Sequence, residues 1–232
     1  MSGKRAIVTG GGRGIGKAVG MRLAMLGAET WLVGTKPDRL AEAAAGIEAA
    51  GGRARTAVAD VSREEDVLRV FERAGDVDVL VNNAGIGRFA PIVSTTVEEW
   101  DLIMGVNLRG VFLCSREAMK SMAGRGGRII NIGSVVSIKG YADQGAYTAS
   151  KHGLLGLSKV MAVEGRKDGI VTQVISPGGV DTDLIGDARP DLDRSGMMRP
   201  GDIADAVEYL LGQTGNAITD MVRLRRKSSA PW

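Results

Sequence analysis

Ser134, Tyr147 and Lys151 carry the side chains best suited to moving a proton, and the last two stand four positions apart. On a helix that spacing puts both on one face, one turn apart. An unperturbed phenol has a pKa near ~10, so Tyr147 is a competent acid and a poor base at neutral pH. An ammonium about 4 Å from the phenolate would contribute on the order of 4 kcal/mol at an effective dielectric of ~20, which brings the phenol into a useful range. Ser134 adds a hydroxyl that can hydrogen-bond a substrate oxygen. A second stretch, TGGGRGIG from Thr9 to Gly16, suits a different task. At the mouth of a helix its backbone N–H groups can face a phosphate, with Gly10, Gly14 and Gly16 permitting a tight turn, close approach and close helix packing. The spacing, G-x-x-x-G-x-G, departs from the commoner G-x-G-x-x-G pattern. Neither stretch decides anything alone; together they hold a dinucleotide pyrophosphate at one end and move a proton at the other, as a nicotinamide-dependent reductase must.

The elements that would position these residues alternate along the chain. Apolar strand-like runs fall at Arg5 to Val8, Thr30 to Val33, Ala54 to Val58, Val77 to Val81, Gly127 to Ile132, Ile170 to Ile175 and Thr219 to Leu224. Amphipathic helical stretches lie near 14 to 27, 38 to 50, 63 to 74, 97 to 123, 146 to 167 and 201 to 212, with Ser62 and Asp202 as start signals. This alternation predicts an α/β fold: one Rossmann-type doubly wound parallel sheet of about seven strands, helices on both faces, over residues 1 to 232 as a single domain. The glycine turn then follows the first strand and opens the first helix, while Ser134 sits at the carboxyl end of a central strand, where open α/β sheets bind ligands. The segment Asp183 to Pro200 has no clear periodicity and is expected to form a flap over the pocket.

Composition narrows the function. The chain has 232 residues, 44% of them apolar, which suits one α/β domain. No apolar run approaches the ~20 residues of a membrane span and no signal-peptide pattern opens the chain, so a cytoplasmic protein without a membrane partner is expected. Thirty Lys and Arg against 27 Asp and Glu is too even and dispersed for a nucleic-acid partner. The exception is Arg223, Arg225, Arg226 and Lys227, read as a solvated strand end or a dock for an acidic partner. The single cysteine, Cys114, lies in an apolar run and is expected to be a buried structural thiol. No His, Cys or carboxylate cluster has metal-ligand spacing, and the lone His152 projects about 100° from Lys151 round the helix, which counts against a hydrolytic triad.

Cofactor choice is expected to turn on the end of the second strand, where an acidic side chain would accept from a ribose 2′-OH. Here Trp31-Leu32-Val33 runs into Gly34-Thr35-Lys36. Thr35, Lys36 and Arg13 offer donors and positive charge to a 2′-phosphate, which favours NADP(H) over NAD(H).

Beyond Thr9 to Gly16, the chain carries Asp60 at the end of the third strand, Asn82-Asn83-Ala84-Gly85 after the fourth, Asn107 in Val106-Asn107-Leu108, the Ser134, Tyr147 and Lys151 set, and Pro177-Gly178-Gly179-Val180-Asp181-Thr182. In this order these segments closely resemble the short-chain dehydrogenase/reductase family through almost the whole chain. The resemblance implies catalytic roles for Asn107, Ser134, Tyr147 and Lys151, with Asn107 holding a water that connects Lys151 to solvent through a helix irregularity. It implies cofactor contacts from Gly10, Gly12, Arg13, Gly14, Ile15, Gly16, Thr35, Lys36, Asp60, Val61, Asn83, Ala84, Gly85, Tyr147, Lys151, Pro177, Gly178, Val180 and Thr182. The implied reaction interconverts a ketone and a secondary alcohol on a small molecule, with 3-oxoacyl thioester reductases as nearest analogues and a carrier- or CoA-linked substrate among the options. Val135, Tyr141, Met197 and Met198 are candidates for an apolar wall, and Arg109, Arg125 and Arg128 for attracting an acidic carrier. Apolar residues in the two longest helices, such as Phe112 and Val160, suggest a homodimer or homotetramer. The alternative is a non-catalytic NADP(H)-binding redox sensor on the same fold. Two departures fall where the family varies: the basic ending replaces a V-D-G-G-like one, and the flap is short.

Overall fold

Each strand is a short run of mainly β-branched and apolar residues, and each is followed by a crossover, so the strands pair in parallel. They are β1 (Arg5–Thr9), β2 (Glu29–Gly34), β3 (Arg53–Val58), β4 (Val79–Asn82), β5 (Gly127–Ile132), β6 (Ile170–Pro177) and β7 (Met221–Leu224). A single 7-stranded sheet results, in the order β3-β2-β1-β4-β5-β6-β7, which is the doubly wound Rossmann arrangement. The order reverses between β1 and β4, opening a crevice at the carboxyl ends of the strands. The structure is a computed structural model and describes residues 1–188 and 192–230.

The helices are α1 (Gly14–Met25), α2 (Pro37–Ala49), α3 (Glu64–Ala74), α4 (Val97–Met104), α5 (Gly110–Met122), α6 (Gly145–Gly165), α7 (Asp183–Ala188) and α8 (Pro200–Leu211). One face of the sheet buries Ile7, Leu80 and Ile129 against Val67, Phe71 and Ala118 of α3 and α5. The other buries Val8, Val81 and Ile175 against Val19, Leu23, Ile203 and Val207 of α1 and α8. Cys114 lies in the first layer, and burial pushes its thiol up to about 12, which keeps it protonated and inert.

Several boundaries differ from the sequence reading, each for a local reason. β4 begins at Val79 because the Val77 N–H is taken by the Ser121 hydroxyl. β7 begins at Met221 because the Thr219 N–H and C=O are both engaged by glutamine side chains, Gln213 and Gln173. The single long helix expected over 97 to 123 is interrupted by a π turn, Gly105–Arg109. Ser62 does not cap α3: its hydroxyl bonds Asp60, and the helix starts one residue later without a side-chain cap. Asp202 does serve as the start signal of α8: from the third position of the helix its carboxylate accepts from the Arg199 N–H. The expected flap opens with α7, and residues 189–191 of it lie outside the described residues.

Candidate active site

Gly10 follows β1 with φ +65°, a conformation that favours glycine, and a Cβ there would lie 2.8 Å from Asn83 Nδ2. That contact reflects a clamp between the two loops flanking the crevice. The Thr9 hydroxyl accepts from the N–H groups of Asn83 and Ala84 at 3.0 Å each, and Asn83 Nδ2 donates to the Thr9 carbonyl at 2.9 Å. Gly16 brings α1 down onto the turn, where a Cβ would sit 2.1 Å from the Gly10 oxygen. The first turn of α1 holds no acidic residue, so its positive end is open to an anion.

At the end of β2, Thr35 and Lys36 line the crevice as expected from their position, joined by Asp38 and Arg39 from the first turn of α2. The Arg13 and Arg39 guanidiniums converge on one carboxylate of the flap, Asp183, at 2.9 and 3.3 Å. These cations hold its carboxyl below the usual range.

Across the crevice, Ser134 caps a short 3-10 turn after β5, accepting from the Val136 N–H, while Ser137 accepts from the Ser134 N–H. This ties the hydroxyl to the strand's end. Tyr147 enters from the first turn of α6 and packs against the edge of Phe89, ring centroids 5.7 Å apart. Lys151, 5% exposed, donates to the Ile132 carbonyl at 2.8 Å, with its Nζ 5.8 Å from the Tyr147 ring centroid. Burial lowers the Lys151 pKa to about 8. The Tyr147 phenol is raised by burial, against a hydrogen bond with Ser134 that lowers it. The depression expected from Lys151 is therefore absent in the chain by itself, because the ammonium is turned to a carbonyl rather than to the phenol.

Asn107 stands behind this group on the π turn, fully buried. Its amide is spent on the chain: Oδ1 accepts from the Ile86 N–H at 2.8 Å, and Nδ2 donates to the Ile86 carbonyl and to Ser150 Oγ. Ser150 in turn donates to the Tyr147 carbonyl at 2.7 Å, linking Asn107 to the turn that carries Tyr147.

One crevice of 1140 Å³ joins both ends. Its walls include Gly10, Gly12, Arg13, Gly14, Ile15, Thr35, Lys36, Asp60, Val61, Asn83, Ala84, Gly85, Ser134, Tyr147, Lys151, Pro177, Gly178, Val180 and Thr182. Gly16 and Asn107 lie behind the wall rather than on it. Of the suggested apolar wall, Val135 and Tyr141 are present, whereas Met198 is turned into the α1–α8 core by its bridge with Val180. Arg125 and Arg128 bond backbone carbonyls at Val77, Ser121 and Gln213 and so brace the ends of β4 and β5. Arg39, Phe89, Leu184 and Arg226 line the crevice unforeseen; Arg39, one helical turn past Lys36, had a readable signal in its spacing.

An open parallel sheet with a glycine turn at the switch point and a Ser, Tyr, Lys group across it defines a dinucleotide-type α/β oxidoreductase scaffold. The family model for short chain dehydrogenase matches residues 4–193, and the chain belongs to that family. It is 39% identical over 230 residues to the 3-oxoacyl-(acyl-carrier-protein) reductase FabG of Escherichia coli, covering 94% of this chain and 93% of that protein. It is 35% identical over 237 residues to a 3beta-hydroxysteroid dehydrogenase of Mediterraneibacter gnavus, covering 98% and 84%. Among solved structures, an alcohol dehydrogenase of Thermococcus sibiricus complexed with 5-hydroxy-NADP superposes with a TM-score of 0.89 at 31% identity, covering 99% of each chain. The protein is thus an oxidoreductase acting between CH–OH and C=O groups. Among the described residues no group of His, Cys, Asp and Glu could hold a metal, and no helix is long and apolar enough to cross a membrane.

Proposed function

We propose that the chain interconverts a ketone and a secondary alcohol with NADP(H) in preference to NAD(H), as a single domain whose segment 183–200 covers the substrate. The observation that carries this reading is the meeting of Ser134, Tyr147 and Lys151 on one crevice with the glycine turn. The residues fit the cofactor: a Cβ-free turn, a helix end without carboxylates, and Lys36, Arg13 and Arg39 grouped where β1 and β2 end. When bound, NADPH supplies the hydride. Glycine-turn N–H groups would hold its pyrophosphate, Lys36 with Thr35 and Arg13 its 2′-phosphate, and the Pro177 to Thr182 segment its carboxamide.

The chain's own work is to orient the carbonyl and supply a proton. Ser134 Oγ and Tyr147 Oη would both hydrogen-bond the substrate oxygen, and the Tyr147 proton passes to it as the alcohol forms. Lys151, with a pKa of about 8, remains charged at neutral pH and stabilises the tyrosinate left behind. Asn107 acts by positioning: its buried amide fixes Ile86 and Ser150 around Lys151 and Tyr147, and its π turn is where a water relay to Lys151 would run. FabG supports including a 3-oxoacyl thioester among substrates. Exposed apolar side chains on α5 and α6, Phe112, Val160 and Val163, support a homodimer or homotetramer.

The test is NADPH oxidation with acetoacetyl thioesters, diketones, sugars and steroids, with Tyr147→Phe in parallel. Removing the acid should lower turnover by about 10²–10⁴-fold and leave NADPH affinity in place. Turnover within a few-fold of the parent would overturn the Tyr147 assignment.

A further inference from the structure

We infer that Arg226 is a specificity-determining residue that receives a carboxylate on the substrate, so that the ketone or alcohol taken is an oxo acid or hydroxy acid. The inference rests on the reductase reading and narrows it.

The crevice has a basic pole at each end. Arg13, Lys36 and Arg39 follow β1 and β2, on the side where the glycine turn lies. Arg226 follows β7, on the opposite flank and two strands beyond β5, whose end carries Ser134. Between them the wall near Ser134 is apolar or aromatic, with Val135, Phe89, Tyr141, Leu184 and Leu192. Apart from Lys151, Arg226 is the cation on that stretch of wall among the described residues; the carboxylate of Asp183, beside Leu184, is turned to Arg13 and Arg39.

Its position is built rather than a matter of a loose tail. The Gly178 N–H donates to the Leu224 carbonyl at 2.8 Å, fixing the end of β7 against the segment that follows β6. Beyond it, Arg225 Nη1 gathers the carbonyls of Arg226, Lys227 and Ser229 at 3.3, 3.5 and 2.6 Å, and the Ser229 N–H returns to the Arg226 carbonyl at 3.0 Å. The tail is thereby folded into a turn. The Arg226 stem then crosses Gly179, where a Cβ would lie 3.7 Å from Arg226 Cδ and 3.8 Å from Met197 Cγ. A Cβ at position 179 would be in ordinary van der Waals contact with the arginine stem, so the stem lies directly against this backbone. Arg226 Nε donates to Ser229 Oγ at 3.4 Å, and its two terminal nitrogens have no partner among the described residues. Asp181, on the segment that Arg226 crosses, is paired with Arg194 instead.

Arg226, half-buried, with an open fork beside an apolar wall and no counter-ion among the described residues, can take one planar carboxylate in a bidentate pair. Of the basic tail, Arg223, Arg225 and Lys227 are exposed, as a solvated strand end should be, and Arg226 alone is turned to the crevice.

The test uses the protein saturated with NADP⁺ and compares calorimetric affinities for 4-phenylbutanoate and 4-phenylbutanamide, matched in shape and unreactive. The carboxylate should bind about 10-fold or more tightly, Arg226→Gln should abolish the difference, and Arg226→Lys should restore part of it. NADPH affinity should be unchanged in both variants, which separates this effect from misfolding. Equal affinity, no binding of either compound, or a preference that survives Arg226→Gln would overturn the inference. Turnover of 4-oxopentanoate and its methyl ester separates the two claims. Carboxylate binding with no ketone reduced removes the reductase reading alone; reduction without preference for the acid removes this inference alone.

Discussion

The two flanks of the crevice are built from different materials. On the β1–β2 flank the contacts are main chain: a glycine turn, a helix end, and a neighbouring loop clamped to it through Thr9 and Asn83. On the β6–β7 flank they are side-chain ends, Leu184, Leu192 and Arg226, carried by a flap and a tail. A backbone site forces particular residue types, because any Cβ intrudes on it. A site made of side-chain ends accepts many solutions and leaves no template to read. The first flank suits a ligand part shared by many enzymes, and the second a part that differs from one enzyme to the next.

The strongest way to break this contrast is Gly16→Val. The new Cβ would meet the Gly10 oxygen at 2.1 Å, a main-chain atom that cannot swing aside. Overpacking of this kind costs about 1–3 kcal/mol or more, and NADPH affinity should fall by roughly 100-fold or more, read by fluorescence titration. Retention within about 3-fold would mean that the turn has slack and that the flanks differ less than their contacts suggest.

Lys151, between the flanks, gives the next effect. Its pKa is about 8 in the fold against an ordinary 10.5, because burial disfavours the ammonium. Between those values the unfolded chain carries a proton that the folded chain does not. Stability from this group is therefore lowest below pH ~8 and rises as pH climbs towards ~10.5, by on the order of 3 kcal/mol in all. Lys151→Met should flatten that rise, seen as a smaller difference in urea midpoint between pH about 7 and about 10 in the cofactor-free protein. Identical pH profiles would place the Lys151 amine in a wetter site than its contacts imply.

The same contrast explains what could be read without coordinates. All strands of the sheet and its helices other than α7 follow from periodicity, with α4 and α5 read as one, and Ser134, Tyr147 and the glycine turn come to one crevice as their spacing demands. The Lys151 to Ile132 bond was not legible, since it joins α6 to the end of β5 and depends on tertiary packing. The π turn at Asn107 was foreshadowed only by the family resemblance, which implies a helix irregularity there: by periodicity the stretch reads as ordinary helix, and the irregularity is accompanied by bonds from Asn107 to Ile86. Met198 was misplaced because a side chain's type does not say which way a loop turns it. Arg226 lay in plain sight, but the turn that aims it is made by Arg225 bonding main-chain carbonyls, a pattern with no sequence signature.

The smallest effect sharpens the comparison from within the backbone flank. Thr35, Lys36 and Arg39 are the part of that flank where side chains and not main chain meet the ligand, so cofactor choice there should be adjustable while binding persists. Lys36 is exposed at the start of α2, where solvent screens its charge. Replacing it by a carboxylate, Lys36→Asp, should shift the kcat/KM ratio of NADPH to NADH by about 10-fold towards NADH, the scale of one charge-assisted contact near the surface. Arg13 and Arg39 would remain, so NADPH use should weaken rather than vanish. Steady-state kinetics with both cofactors decides it. A parent enzyme that already favours NADH would overturn the cofactor assignment. A variant with an unchanged ratio would move the 2′-phosphate contact from Lys36 to the two arginines that Asp183 now bridges.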